Sequence, residues 1–134
     1  MKVSGACHCG KITYEAEVDP ATVSICHCTD CQTFSGSAFR TSAPVKKEGF
    51  RLHGTPKIYV KTAESGNKRA QAFCPDCGTH LYATTPENPQ VYGIRTNTAR
   101  ERAQLPPQRQ IWCDSAQAWA MELGKIPKSP RQPG

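Results

Sequence analysis

Cys26-His27-Cys28-Thr29-Asp30-Cys31 sets three sulfurs within six residues, and reading them as metal ligands decides what kind of fold this chain can have. Two more clusters lie on either side, Cys7-His8-Cys9 and Cys74-Pro75-Asp76-Cys77-Gly78, so seven of the eight cysteines are grouped. Cysteines this close can turn their sulfurs toward one centre, and thiolate is the ligand that closed tetrahedral zinc sites favour. Seven sulfurs make one complete four-thiolate site and leave a second with three. A metal with three protein ligands keeps a coordination position free, which separates sites that do chemistry from sites that only brace a fold. Two zinc ions per chain are therefore expected, one structural and one exchangeable.

The competing reading is a secreted disulfide framework, since eight is an even number of cysteines. Met1-Lys2-Val3-Ser4-Gly5 runs into the first cluster without the apolar stretch of a signal peptide. Cysteines separated by one residue also pair poorly with each other. A reducing, cytoplasmic setting with metal-bound thiolates is the expectation.

Size and composition agree with a small metal-braced fold. The chain has 134 residues, enough for one domain, with 37% apolar residues, ten glycines and eleven prolines. No stretch approaches the ~18 apolar residues that a membrane span requires, so no membrane association is expected. The formal charge of +6 falls to +3 once seven thiolates and two divalent ions are counted, 6 − 7 + 4. Lys46-Lys47 and Lys68-Arg69 are scattered pairs and form no stripe, so a nucleic-acid partner is not expected.

Ile12, Tyr14, Ala16 and Val18 alternate with Lys11, Thr13, Glu15 and Glu17, the period of a half-buried strand. Further short strands are expected at Thr22–Ile25, Ser37–Thr41, Arg51–His53, Lys57–Lys61, Arg69–Phe73, His80–Thr84 and Val91–Arg95. Turn chemistry bounds them at Gly54-Thr55-Pro56, Ser65-Gly66-Asn67 and Pro86-Glu87-Asn88-Pro89. Thr29 to Ser35 should form a short helix, capped by Thr29 or Asp30 and ended by Gly36. Its first turn would hold Cys31, where the helix dipole favours a thiolate. Asp114 should cap a second helix whose apolar face is Ala116, Trp119, Ala120 and Leu123. Residues 126–134 read as a Pro-rich tail after a single domain spanning 1–125. The sum is a mainly β domain with two short helices.

Spacing leaves the grouping of the clusters open. Cys28 and Cys31 with Cys74 and Cys77 could make a zinc ribbon, although 42 residues intervene between Cys31 and Cys74. Joining Cys7 and Cys9 to Cys74 and Cys77 would leave Cys26, Cys28 and Cys31 as the incomplete set. His8 and His27 alternate with their neighbouring cysteines and should point away from the metal. His53 and His80 stand outside the clusters as ordinary residues, and Arg40, Lys57 and Arg95 read as surface residues. Cys113 is the one residue that could close the second site. A soft metal with an open position suits a thiol ligand, and in a reducing compartment the abundant thiol is the anionic glutathione.

Gly5-Ala6-Cys7-His8-Cys9-Gly10, Cys26-His27-Cys28-Thr29-Asp30-Cys31 and Phe73-Cys74-Pro75-Asp76-Cys77-Gly78-Thr79-His80-Leu81 together resemble the glutathione-dependent formaldehyde-activating enzyme family, which includes centromere protein V. The likeness spans about residues 4–120. It implies a β-tent fold of the Mss-four-like kind. It also implies a structural zinc on Cys7, Cys9, Cys74 and Cys77, and a catalytic zinc on Cys26, Cys28 and Cys31. The implied activity is that of a carbon–sulfur lyase, joining formaldehyde to glutathione as S-hydroxymethylglutathione or reversing that step. The alternative is a non-catalytic zinc module that recognises protein or nucleic acid, for which the Pro- and Lys-containing tail and the residual positive charge speak.

Overall fold

The computed structural model describes residues 1–63 and 65–133. Ten strands lie among them: β1 (Lys2–Ala6), β2 (Thr13–Glu17), β3 (Ser24–Cys26), β4 (Arg40–Lys46), β5 (Phe50–His53), β6 (Lys57–Thr62), β7 (Lys68–Phe73), β8 (His80–Thr84), β9 (Val91–Arg95) and β10 (Arg109–Ile111). One helix, α1 (Thr29–Ser35), follows β3. The strands form a three-stranded sheet ordered β1-β2-β5 and a seven-stranded sheet ordered β10-β3-β4-β9-β8-β7-β6. All pairings are antiparallel except β10 with β3. This is the mainly β architecture expected from the sequence.

The alternation around β2 is real: Ile12, Tyr14, Ala16 and Val18 are all buried, and Glu15 and Glu17 are exposed. Residues from both sheets close one core. Phe50 from the small sheet meets Tyr82 and Tyr92 from the large one, with ring centroids 5.5 and 4.8 Å apart, and Tyr14 packs on Phe50 at 5.8 Å. Such tilted aromatic contacts add to the area buried. Gly5 on β1 lies opposite Tyr14. A Cβ at Gly5 would run into the Tyr14 ring, and that ring is pinned by a 2.7 Å hydrogen bond between its hydroxyl and Thr98. Gly5→Ala should therefore lower stability by about 2 kcal/mol or more. An unchanged denaturant midpoint would contradict this packing.

Several boundaries differ from the expectation. β1 and β10 were not anticipated, because Lys2–Ala6 carries Ser4 and Gly5 and Arg109–Ile111 is only three residues long. Asp19 accepts a 3.0 Å hydrogen bond from the Ala21 amide and folds Pro20–Thr22 into a 3-10 turn, so β3 begins later than expected. β4 begins at Arg40 and continues through Pro44 to Lys46, past the expected strand end at Thr41.

The second expected helix does not form. Residues 113–125 make three separate 3-10 turns, and Trp119 is 60% exposed. The apolar spacing is present, but no surface receives it, and a helix this short needs tertiary packing to persist. Residues 126–133 are exposed throughout, and Gly134 of the expected tail lies outside the described residues. Among the described residues, no helix is long and apolar enough to cross a membrane.

Candidate metal centres and the cleft beside them

Cys7, Cys9, Cys74 and Cys77 converge, each offering a sulfur within 4.8 Å of the others, and Cys26, Cys28 and Cys31 form a second such group. Of the two groupings that spacing allowed, the fold makes the one that joins the N-terminus to the middle of the chain. The ribbon of Cys28 and Cys31 with Cys74 and Cys77 is not made.

The first group sits between the sheets. Cys7 follows β1, and the chain turns back at once: the Cys7 amide donates to the Ile12 carbonyl at 2.9 Å and the Ile12 amide to the Cys7 sulfur at 3.3 Å. Cys74 and Cys77 occupy the turn between β7 and β8, where the Gly78 amide donates to the Cys74 carbonyl at 2.9 Å. Gly78 has φ +77° there, a conformation that favours glycine. Lys11 and Asp76 tie the two turns together at 2.6 Å. The Cys7 and Cys9 sulfurs stand 3.6 Å apart and those of Cys9 and Cys74 3.7 Å. A tetrahedron with metal–sulfur bonds of about 2.3 Å has edges of about 3.8 Å, so the donor set fits zinc.

The second group is built by a strand end and a helix start. Cys26 ends β3, Cys28 caps α1, and Cys31 lies buried in its first turn. Cys28, rather than Thr29 or Asp30, is the cap: its sulfur accepts from the Cys31 amide at 3.3 Å. Gly36 ends the helix in the left-handed conformation, as expected. His27 points away from the sulfurs. Its Nε2 lies 2.7 Å from Gln110 Oε1, its ring meets Phe39 edge-on, and it is 1% exposed. Neither His8 nor His27 joins a cysteine group.

The sulfurs in each group compete for negative charge. The Thr79 hydroxyl and amide hold the Cys77 thiol down to about 5. The Lys11 amide lowers Cys9 too, but desolvation and the sulfurs of Cys7, Cys74 and Cys77 outweigh it and push that thiol up to about 11. In the second group, burial above all, with Cys31 and Cys28, pushes Cys26 up to about 12. Burial also works against the Cys31 thiolate, but the hydrogen bond and charge of Arg40 overcome it and bring the thiol below its ordinary range. Four or three adjacent thiolates need a cation among them, and a divalent ion resolves the conflict at both places.

Cys113 is exposed and stands outside both groups, so it does not supply a fourth sulfur. Cys113→Ser should leave the metal content unchanged; loss of an ion on elemental analysis would contradict this.

Beside the second group lies a cleft of about 540 Å³, lined among others by Phe34, Phe39, Arg40, His80 and Arg95. The surface reading of Arg40 and Arg95 is corrected here. Arg40 is 8% exposed, and Arg95 is partly buried beside it, while Lys57 is exposed. Buried arginines on β4 and β9 carry no local sequence signal. His80 also enters the site, stacked on Phe73 at 5.8 Å and tilted against Phe34 at 5.8 Å. Burial, and then the charges of Arg40 and Arg95, push its imidazole below the ordinary range and favour the neutral ring.

A C-terminal strap missed in the sequence holds the second cysteine loop. The His27 amide donates to the Ile111 carbonyl at 3.0 Å, and the Ser115 hydroxyl donates to the His27 carbonyl at 2.9 Å. Gln32 Nε2 bridges the carbonyls of His27 and Ser115 at 2.8 and 2.9 Å.

Comparison with known proteins places this geometry. A crystal structure of a Rhodobacter sphaeroides protein matches the fold with a TM-score of 0.61 at 20% identity, over 80% of this chain and 98% of that one. An uncharacterised lyase of Schizosaccharomyces pombe is 29% identical over 87 residues, 63% of this chain and 61% of the relative. The chain thus spans about three fifths of the curated relative it matches. The model of the glutathione-dependent formaldehyde-activating enzymes matches residues 2–115, from the first strand through both cysteine groups. The chain belongs to the glutathione-dependent formaldehyde-activating enzyme family.

Proposed function

We propose that the chain is a zinc-dependent carbon–sulfur lyase acting on a thiol adduct such as S-hydroxymethylglutathione. Cys7, Cys9, Cys74 and Cys77 would hold a structural zinc, and Cys26, Cys28 and Cys31 a second, exchangeable one. The observation that carries this reading is the unequal pair of sulfur groups, four and three, the smaller joined through Arg40 to a cleft. Family membership and the lyase name of the fission-yeast relative support the reaction class.

A zinc ion at the three-sulfur group would supply a soft acceptor that keeps a substrate sulfur as thiolate at neutral pH. The protein's own residues do the rest. The charge of Arg40 offsets the negative charge of the cysteines and favours the Cys31 thiolate. Cleavage of R–S–CH2–OH breaks the carbon–sulfur bond, sends its electron pair to sulfur and releases the hydroxyl proton. The neutral His80 ring accepts that proton, and in the addition direction it returns it to the oxygen. Among the side chains lining the cleft, His80 is the only imidazole. Phe34 and Phe73 hold its ring.

Magnetisation-exchange NMR on glutathione and formaldehyde should show faster exchange with protein than in the uncatalysed control. His80→Gln should reduce the acceleration about 100-fold while leaving both metals bound, and it should remove the acid limb of the pH profile. No acceleration by wild-type protein carrying two metals would exclude this adduct as substrate.

A further inference from the structure

Arg40 and Arg95 are oriented by a neutral partner. Gln71 on β7 is buried, and its Oε1 accepts from Arg40 Nη1 at 3.4 Å and from Arg95 Nη2 at 3.2 Å. Arg95 Nη1 donates to the Ser42 hydroxyl at 2.7 Å. The Arg40 guanidinium also lies over the Phe34 ring, 5.2 Å from its centroid. Among the described residues no arginine is paired with a carboxylate. The Nε groups of both Arg40 and Arg95 are buried without a partner.

Two guanidiniums this close, one of them over nine-tenths buried, are costly unless something negative faces them. The three-sulfur group compensates only part. With a divalent ion its charge is −3 + 2, a single negative charge against two positive ones. Crowding of like charge is visible in Arg95, which burial first and Arg40 second bring down to about 10, with Arg69 adding to the effect. A glutamate at position 71 would have neutralised the pair; an amide oxygen aligns both side chains and leaves their charge available. Both line the cleft, with the hydroxyls of Ser37, Thr41 and Thr98 around them.

We propose that Arg40, Arg95 and Gln71 form a carboxylate-binding subsite in the cleft next to the three-sulfur group. A planar carboxylate faces the two guanidiniums where they line the cleft, the group that guanidinium pairs with best. The subsite rests on the thiol-adduct reading only for where the carboxylate comes from. It belongs either to the thiol partner or to the aldehyde partner, the latter making the second substrate an oxo acid.

The arginine Nε–H resonances of the metal-loaded protein report on it directly. The probes are glutathione, glyoxylate (a carboxylate without a thiol) and cysteamine (a thiol without a carboxylate). A carboxylate probe should shift the Arg40 and Arg95 resonances and cysteamine should not. Response to glutathione alone assigns the carboxylate to the thiol partner, and response to glyoxylate assigns it to the aldehyde. Gln71→Glu, close in size to the wild-type side chain, should fill the subsite from within and weaken binding by about 10- to 100-fold. The subsite is overturned if neither carboxylate moves these resonances, or if Gln71→Glu binds as wild type does. These shifts need no turnover, so a responsive subsite in a protein without exchange activity would count against the lyase reading alone.

Discussion

Replacing Cys74 by serine is expected to yield insoluble or molten protein. Cys74 is 1% exposed and belongs to the core, and with Cys77 it joins the β7–β8 turn to Cys7 and Cys9 at the end of β1. The four-sulfur group thus links the small sheet to the large one. Structural zinc contributes on the order of 10 kcal/mol or more to small domains, against a total stability of about 5–15 kcal/mol. Few other single changes in this chain should cost as much. Near-UV circular dichroism should be lost in Cys74→Ser, and in wild type on exhaustive chelation. Cys113→Ser, outside the group, serves as the control. A native spectrum for Cys74→Ser would remove the structural role from this site.

Cys31→Ser should have the opposite profile: a folded chain, one metal instead of two, and no catalysis. The loop from Cys26 to Cys31 is held by more than its sulfurs. β3 is paired on both sides, with β10 and β4; Ser115 and Ile111 of the C-terminal strap clasp His27, and Gln32 of α1 bridges His27 and Ser115. The substitution removes a buried sulfur and Arg40's partner, a loss of about 1–3 kcal/mol, typical of a single buried change. Denaturation midpoints and elemental analysis together read out the result. Unfolding comparable to Cys74→Ser would make the second group structural as well and leave the enzyme reading without its main support.

The cysteines were legible because ligands two or three residues apart need no tertiary information to converge. The strand of alternating Ile12, Tyr14, Ala16 and Val18 was legible for the same reason, as were β8 and β9, whose ends were expected as they occur. Grouping the clusters was not, since Cys7 meets Cys74 only after two sheets have packed. The cleft was hidden more deeply. Arg40, Gln71 and Arg95 come from β4, β7 and β9, each an unremarkable polar residue in its own segment, and their burial is a product of sheet order. In the C-terminal segment the apolar period of Ala116, Trp119, Ala120 and Leu123 pointed to a helix. Periodicity states only what a helix would bury, and here no surface is offered to receive it. The same segment supplies Gln110 and Ser115 to the second cysteine loop, a role set by partners more than 80 residues away.

The central claim is that seven protein sulfurs hold two metal ions and that an eighth sulfur comes from the substrate. X-ray absorption at the zinc edge on protein with two bound ions counts these ligands. The expected signal is seven sulfurs shared between two ions in the free protein and eight after glutathione is added, with S-methylglutathione, which has no thiol, leaving the count unchanged. A count that starts at eight, or one that glutathione does not raise, would contradict the account.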